Sequence, residues 1–321
     1  MTTLQDPPAP PHEPRDEARR RGRPTLPRIA VRRPNIRIPR RRVQHTPGSL
    51  ILNWALALVA GLVCWLLLYG FLISSLQQAH DQSVLYDKFR QQLAEATAPV
   101  GGPITPGNPV AVLDIPAAGL HREVIVEGTL SGELAKGPGH RRDTPLPGQP
   151  GVSVIYGRAA LFGAPFHSIA SLRPGATVTT TTAEGTATYV VDRVRRAGDS
   201  FPALVSGGRL TLVTSDASGW HSGWAPGGVV YVDATLVSKP FADSGVRPSL
   251  VPEAERAMKG DTGALYSLVL WLPAPLLAAL GIVWAADRWG RWQAWLIGTP
   301  IALAALWGVT QTAVQFLPNL M

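Results

Sequence analysis

Residues 209–215 read RLTLVTS and residues 229–237 read VVYVDATLV, two short runs rich in branched and hydroxylated side chains. Five further runs of this kind precede them, each next to glycine or proline: VAVLDIP at 110–116, REVIVEG at 122–128, VSVIYG at 152–157, ATVTTTT at 176–182 and ATYVVDRV at 187–194. Short β-type runs at close spacing, with turn residues between them, are typical of a small β-barrel or sandwich. About 130 residues suffice for one hydrophobic core. We therefore predict a mainly β domain at 110–238.

Three long apolar runs flank the β-rich region, at residues 50–73, 264–286 and 295–317. The first contains no charged residue, and 24 residues at about 1.5 Å rise each can cross a hydrocarbon layer of roughly 30 Å. A cleavable signal peptide usually has a shorter apolar core. We therefore predict three transmembrane helices. Residues 76–98 lack proline and glycine, which predicts a helical stalk, and residues 239–263 are interpreted as a linker.

The net positive charge of the chain comes from residues 1–47, which carry 12 arginines against four acidic residues. That excess equals the net charge of +8 for the whole sequence. This proline- and arginine-rich segment is predicted to be disordered and to attract anionic lipid. No aromatic residues interleave its arginines, which argues against nucleic-acid binding. Together with Arg288 and Arg291, it predicts a cytoplasmic N-terminus and an extracytoplasmic region at 74–263 in the plasma membrane.

Several segments in this order resemble the catalytic domain of sortases, the extracytoplasmic transpeptidases that attach proteins to Gram-positive cell walls. The segments are LDIPAAGL at 113–120, VIVEGT at 124–129, GPGHRRDTPLPGQPG at 137–151, VIYGRAALFGAPF at 154–166, LRPG at 172–175 and LTLVTS at 210–215. Any one of them alone would be weak, but together they are specific. The resemblance implies an eight-stranded sortase-like β-barrel outside the membrane. The two extra apolar runs resemble multi-pass members of the family.

The resemblance also places the family's reactive residues, and here this sequence departs from the pattern. The nucleophilic cysteine of sortases ends the strand that reads LTLVTS here, so its position is Ser215. The family histidine aligns with Arg158, through the shared GAPF at 163–166, and the family arginine aligns best with Val229. A serine without a base is a poor nucleophile, since general-base help is worth roughly 10²–10⁴ in rate. We therefore expect that the standard transpeptidase activity is absent.

Two sharper interpretations of these residues stay open. Ser215 would act as a nucleophile if His221 folded back beside it, with Asp216 orienting the ring. Alternatively, Ser215 is a small residue that fills the former thiol site. Arg158 would bind an anion, such as a C-terminal carboxylate or a wall phosphate, because arginine suits bidentate recognition of such groups. The alternative for Arg158 is an ordinary arginine at the edge of the cleft.

No cofactor or metal is predicted. Cys64 lies in the first apolar run, where lipid disfavours the thiolate, so we interpret it as a packing residue. The histidines His80, His121, His140 and His167 lack metal-ligand spacing, and we expect them to be solvated in stalk and loops.

The leading hypothesis is therefore a three-span membrane protein with a sortase-like domain outside and no sortase activity. It would bind a cell-wall protein, a sorting-signal-like peptide or a neighbouring membrane protein. One alternative is a divergent transpeptidase or hydrolase that uses Ser215. Another is a structural subunit of a membrane complex that docks through the last two helices.

Overall fold

The computed structural model describes five stretches of the chain: residues 47–200, 207–216, 227–243, 245–248 and 250–321. Of the side chains of residues 47–55, 57 and 58 nothing is described. Residues 47–52 are described as the start of a helix, and residues 53–321 form a second, compact unit. The contacts described below all lie within the second unit. The basic segment at 1–46 and the candidate His221 lie outside the described residues.

Eight strands form a closed barrel in the order β1-β2-β3-β4-β7-β8-β6-β5. The strands are β1 Pro109–Ile115, β2 Leu120–Glu127, β3 Gly139–His140, β4 Gly151–Tyr156, β5 Thr177–Thr182, β6 Gly185–Arg196, β7 Gly208–Ser215 and β8 Val229–Leu236. The β2–β3 and β4–β7 pairs are parallel and the other pairs are antiparallel. The predicted β-barrel is confirmed, and all seven β-type runs of the sequence form strands.

The barrel closes around alternate side chains of its strands. On β7, Leu210 and Leu212 point into the main core with Val232 and Ala234 of the neighbouring β8. The intervening residues of β7 point to the outer wall, as the period of two along a strand requires. Ser215 ends β7 on that outer wall. The alternation therefore separates the residues that hold the barrel together from those that can meet a ligand.

The first helical region begins three residues earlier and is less regular than the sequence predicted. Helix α1 spans Pro47–Leu68, a single π-helical turn follows at Tyr69–Ile73, and α2 spans Ser74–Ala94. The π turn occurs within the apolar run. The helix then ends at Ala94, four residues before the end of the predicted stalk at 76–98. The amides of α2 bind the barrel: Gln82 Nε2 donates to the carbonyl of Val124 at 3.1 Å. The helix and the barrel are therefore in direct contact.

Three further helices follow the barrel: α4 Leu265–Trp271, α5 Pro273–Trp289 and α6 Arg291–Ala313, with a 3₁₀ turn at Val314–Phe316. Within the described residues, three helical stretches are long and apolar enough to cross a membrane: 59–94, 262–289 and 291–316. The three predicted spanning helices are thus confirmed in length and composition. A one-turn helix, α3 Ser131–Leu134, lies between β2 and β3.

The segment interpreted as a linker packs against the barrel. Glu255 is buried, and its carboxylate forms an ion pair with the guanidinium of Arg142. The Thr129 hydroxyl donates to the main-chain carbonyl of Glu255 at 2.7 Å. Residues 239–263 therefore include a tightly held part, which the proline and charge pattern of the sequence did not indicate.

Glu123 gives the contact between α2 and the barrel a pH dependence. Gln78 Nε2 donates to its carboxylate at 2.6 Å, and burial raises the pKa of Glu123 to about 7, against 4.5 for an ordinary glutamate. Between these two pH values the folded chain keeps a proton that the unfolded chain has lost. The free energy of unfolding should therefore fall as the pH rises from 4.5 to 7. We expect Glu123→Gln to remove this fall and to stabilise the fold at pH 8 by on the order of 2 kcal/mol.

The measurement is the thermal midpoint of the detergent-solubilised chain between pH 4.5 and 8. Glu95→Gln is the matched control, because Glu95 also accepts an amide, from Gln91 at 2.8 Å, but is exposed. Equal pH slopes for the wild-type chain and Glu123→Gln would contradict the prediction.

Candidate functional site

The three positions singled out from the sequence lie together on one end of the outer barrel wall. Tyr156, the last residue of β4, pairs with Val213 of β7, and Arg158 follows two residues later. Ser215 ends β7 and pairs with Val229, the first residue of β8. Three adjacent strands, β4, β7 and β8, therefore bring these positions to one groove.

Arg158 is fully buried, although it is an arginine at the end of a strand. Its Nη1 donates to the main-chain oxygen of Met321 at 3.0 Å and its Nη2 to the carbonyl of Ser131 at 3.0 Å. The guanidinium carbon lies 4.9 Å from the ring centroid of Phe162. Burial lowers the pKa of Arg158 to about 10, so the guanidinium stays charged at neutral pH. A buried charge of this kind is stabilised by strong hydrogen bonds to its acceptors.

Ser215 is also buried, and its hydroxyl is engaged. Its Oγ donates to the main-chain carbonyl of Leu320 at 2.9 Å. A serine nucleophile instead donates its proton to a base such as an imidazole. Among the described residues, no histidine hydrogen-bonds to Ser215, whose hydroxyl donates to the carbonyl of Leu320.

The groove is occupied by residues 317–321, which we call the post-helix segment because it follows the 3₁₀ turn at the end of α6. Its main-chain oxygens accept from Arg158, Ser215, the amide of Ala159 at 3.0 Å and the hydroxyl of Ser131 at 3.1 Å. Leu320 and Asn319 are completely buried. The segment therefore lies in the groove as a bound peptide does.

Two side chains of the post-helix segment make specific contacts. Leu320 packs in an apolar cluster with Leu134, Tyr156 and Val213, and Val229 packs against that cluster. The third sequence-predicted position thus forms part of the wall of the Leu320 pocket. The side-chain amide of Asn319 donates to the carbonyl of Thr129 at 2.9 Å and of Arg256 at 3.0 Å. These contacts were not predicted, since in the sequence Pro318 signals the end of a helix and nothing more.

A second part of the outer wall is left open by the post-helix segment. It is a cavity of about 480 Å³ lined by charged and aromatic residues, namely Arg141, Tyr156, Arg195, Arg209, Tyr231 and Asp233, with β-branched residues of β4 and β7 between them. Arg195 Nε bonds to the buried carboxylate of Asp233 at 2.6 Å, and its guanidinium lies over the Tyr231 ring at 4.1 Å. Positive charge therefore lines the groove beyond the Leu320 pocket.

His140 corrects one of the sequence expectations. It is buried in β3, where its Nδ1 lies 2.8 Å from a carboxylate oxygen of Glu127 and its Nε2 lies 3.0 Å from the carbonyl of Pro145. It is therefore a packed barrel histidine and not a solvated loop residue. In the described part of the chain, no group of three or more His, Cys, Asp or Glu side chains is arranged to hold a metal.

Comparison with known proteins identifies the domain that carries the groove. The family model for the sortase domain matches residues 113–221. A threonine-to-valine variant of sortase E from Streptomyces avermitilis is 30% identical over 48% of this chain and 100% of that chain, with a TM-score of 0.36. A sortase D5 transpeptidase from Clostridium perfringens is 22% identical over 50% of this chain and 98% of that chain, with a TM-score of 0.39.

Clostridium perfringens sortase C, solved with the C-terminal cell wall sorting motif, is 21% identical. The match covers 50% of this chain and 90% of the sortase C chain, with a TM-score of 0.36. No curated protein matches the chain. The family model shows that the chain carries a sortase domain, at residues 113–221.

Proposed function

We propose that this chain is a membrane-anchored sortase-family protein that binds peptide segments in its groove and does not perform transpeptidation. Its role would be to hold a cell-wall or membrane partner at the cell envelope. The observation that carries the proposal concerns two of the positions that align with catalytic residues. Arg158 and Ser215 both donate hydrogen bonds to main-chain oxygens of the post-helix segment.

The residue types in the groove support the loss of chemistry. Sortase-type attack on a carbonyl requires a thiolate, a group that moves the proton and a donor for the oxyanion. Serine, arginine and valine stand at the aligned positions 215, 158 and 229. Loss of general-base help lowers the rate by roughly 10²–10⁴, and loss of an oxyanion donor by about 10²–10³ more. The arrangement retains groups that bind a peptide without groups that cleave it.

The kind of partner is supported by the relatives and by the contacts. Clostridium perfringens sortase C was solved with a C-terminal cell wall sorting motif. In this chain, donors from the barrel, among them Ala159 N and Ser215 Oγ, meet main-chain oxygens. Such donors suit any extended peptide. A sorting-signal-like peptide of a cell-wall protein is therefore the partner that we favour.

The three apolar helices support anchoring in the plasma membrane. With Arg288 and Arg291 between α5 and α6, and with the arginines of residues 1–47, the positive-inside rule places the N-terminus in the cytoplasm and the barrel outside. The basic segment would then lie against anionic lipid of the inner leaflet.

We expect no transpeptidation product when the detergent-solubilised chain is incubated with a fluorogenic sorting-motif peptide and an amine acceptor. Ser215→Ala should give the same background as the wild-type chain, because Ser215 acts as a hydrogen-bond donor to a peptide carbonyl. Sortase E from Streptomyces avermitilis serves as the positive control. A product that disappears in Ser215→Ala, or an acyl group on Ser215 in the mass spectrum, would instead favour the serine-enzyme alternative.

The topology is tested by cysteine labelling in a Cys64→Ser background, which removes the single natural cysteine. A membrane-impermeant maleimide should label Lys239→Cys, next to the barrel, in intact cells. It should label Gln293→Cys, in the first turn of α6, only after the cells are lysed. Both positions are exposed in the structure, so a reversed pattern would overturn the orientation.

Arg158→Lys should destabilise the chain although the charge is conserved. Lysine lacks the planar guanidinium that donates at the same time to the carbonyl of Ser131 and to the main-chain oxygen of Met321. A buried acceptor left without its donor costs about 1–3 kcal/mol. The expected loss in the free energy of unfolding is of that order, measured by denaturant titration. Arg173→Lys, at an exposed arginine, is the control and should change little.

A further inference from the structure

We propose that the post-helix segment is the resident occupant of the groove and that an extended peptide in trans replaces it. This inference rests on the proposed function and specifies how the groove is regulated and what kind of peptide it accepts. The full-length chain would then be a self-occupied binder, and its affinity for a partner would be set by competition between two peptides for the same donors.

The first argument is that the groove contacts the post-helix segment mainly through its backbone. Ala159 N and Ser215 Oγ both donate to the carbonyl of Leu320, at 3.0 and 2.9 Å. Arg158 donates to the main-chain oxygen of Met321. Carbonyl oxygens are common to every peptide, so a second peptide can satisfy the same donors with no change in the barrel.

The side-chain contacts define which peptide fits. Leu320 fills an apolar pocket between Leu134, Tyr156 and Val213. The amide of Asn319, one residue earlier, satisfies the carbonyls of Thr129 and Arg256. We therefore infer a partner peptide that carries an amide side chain directly followed by a large aliphatic one. A peptide with an acidic residue at the second position would not bind in this pocket, because burying an unpaired carboxylate is strongly unfavourable.

The second argument is that occupancy is intramolecular. The three-residue 3₁₀ turn Val314–Phe316 connects the segment to α6. Helix α6 is held beside the first helix, since Tyr69 Oη donates to Gln311 Oε1 at 3.0 Å and Trp65 Nε1 to Thr310 Oγ1 at 2.9 Å. A short tether of this kind gives an effective concentration in the millimolar range. A free peptide with the same contacts must compete against that concentration.

The test uses the full-length chain in detergent and a fluorescein-labelled peptide of sequence VQFLPNLM, which copies residues 314–321. Leu320→Asp is chosen to expel the post-helix segment, because the carboxylate cannot be buried in the apolar pocket. Leu250→Asp is the matched control, since Leu250 is 85% exposed. By fluorescence anisotropy, we expect Leu320→Asp to bind the peptide at least ten-fold more tightly than the wild-type chain and Leu250→Asp.

A further arm examines the apolar pocket itself. The same labelled peptide with aspartate in place of the residue that copies Leu320 should not bind to any of the chains, because the carboxylate cannot be buried there unpaired. Binding as tight as that of the unchanged peptide would count against the inference.

Hydrogen exchange on the unmodified chain provides a measurement that does not depend on any variant. The amide of Asn319 donates to the carbonyl of Lys259 at 2.9 Å, and that of Met321 to the carbonyl of Pro318 at 3.0 Å. Excess peptide should increase the exchange of these amides as the post-helix segment leaves. Equal peptide binding by Leu320→Asp and the wild-type chain, or unchanged exchange at millimolar peptide, would overturn the inference. Transpeptidation activity would overturn the proposed function instead, since binding and exchange yield no product.

Discussion

The groove depends on one buried guanidinium that bridges two parts of the chain. Arg158 bonds to the carbonyl of Ser131 in α3 and to the main-chain oxygen of Met321, far along the sequence. A buried cation is tolerated only when it has good hydrogen-bond acceptors. Arg158 therefore needs the post-helix segment as an acceptor and also holds that segment in place. In the alignment proposed from the sequence, this position corresponds to the histidine of the sortase pattern. Here the position carries a fixed charge that binds a backbone.

Much of the fold could be predicted because it depends on local patterns. The seven β-type runs all became strands, since a β-type composition between turn residues marks them in the sequence. Strand β3, Gly139–His140, has two residues and shows no period, so the sequence could not reveal it. The burial of His140 could not be predicted either, because its partners Glu127 and Pro145 are brought next to it by the tertiary structure. The π turn Tyr69–Ile73 likewise has no marker in a uniformly apolar run.

The candidate site was predictable in position and not in content. Family resemblance indicated Arg158, Ser215 and Val229, and the strand pairing brings them to one end of the barrel. The occupant could not be predicted, because the five residues 317–321 carry no periodic signal. Their contacts come from distant parts of the chain, namely the region of α3, the ends of β4 and β7 and the segment after β8. Such contacts need no thiolate, since recognition of a peptide backbone requires hydrogen-bond donors and an apolar pocket.

Because the post-helix segment is attached to α6, a movement of that helix would be transmitted to the groove. A membrane helix responds to the thickness of the bilayer by tilting, and tilt displaces its ends. In this fold the displaced end of α6 continues, through three residues, into the segment that fills the groove. In a bilayer that α6 crosses, a change in thickness would therefore strain the contacts between Leu320 and its pocket.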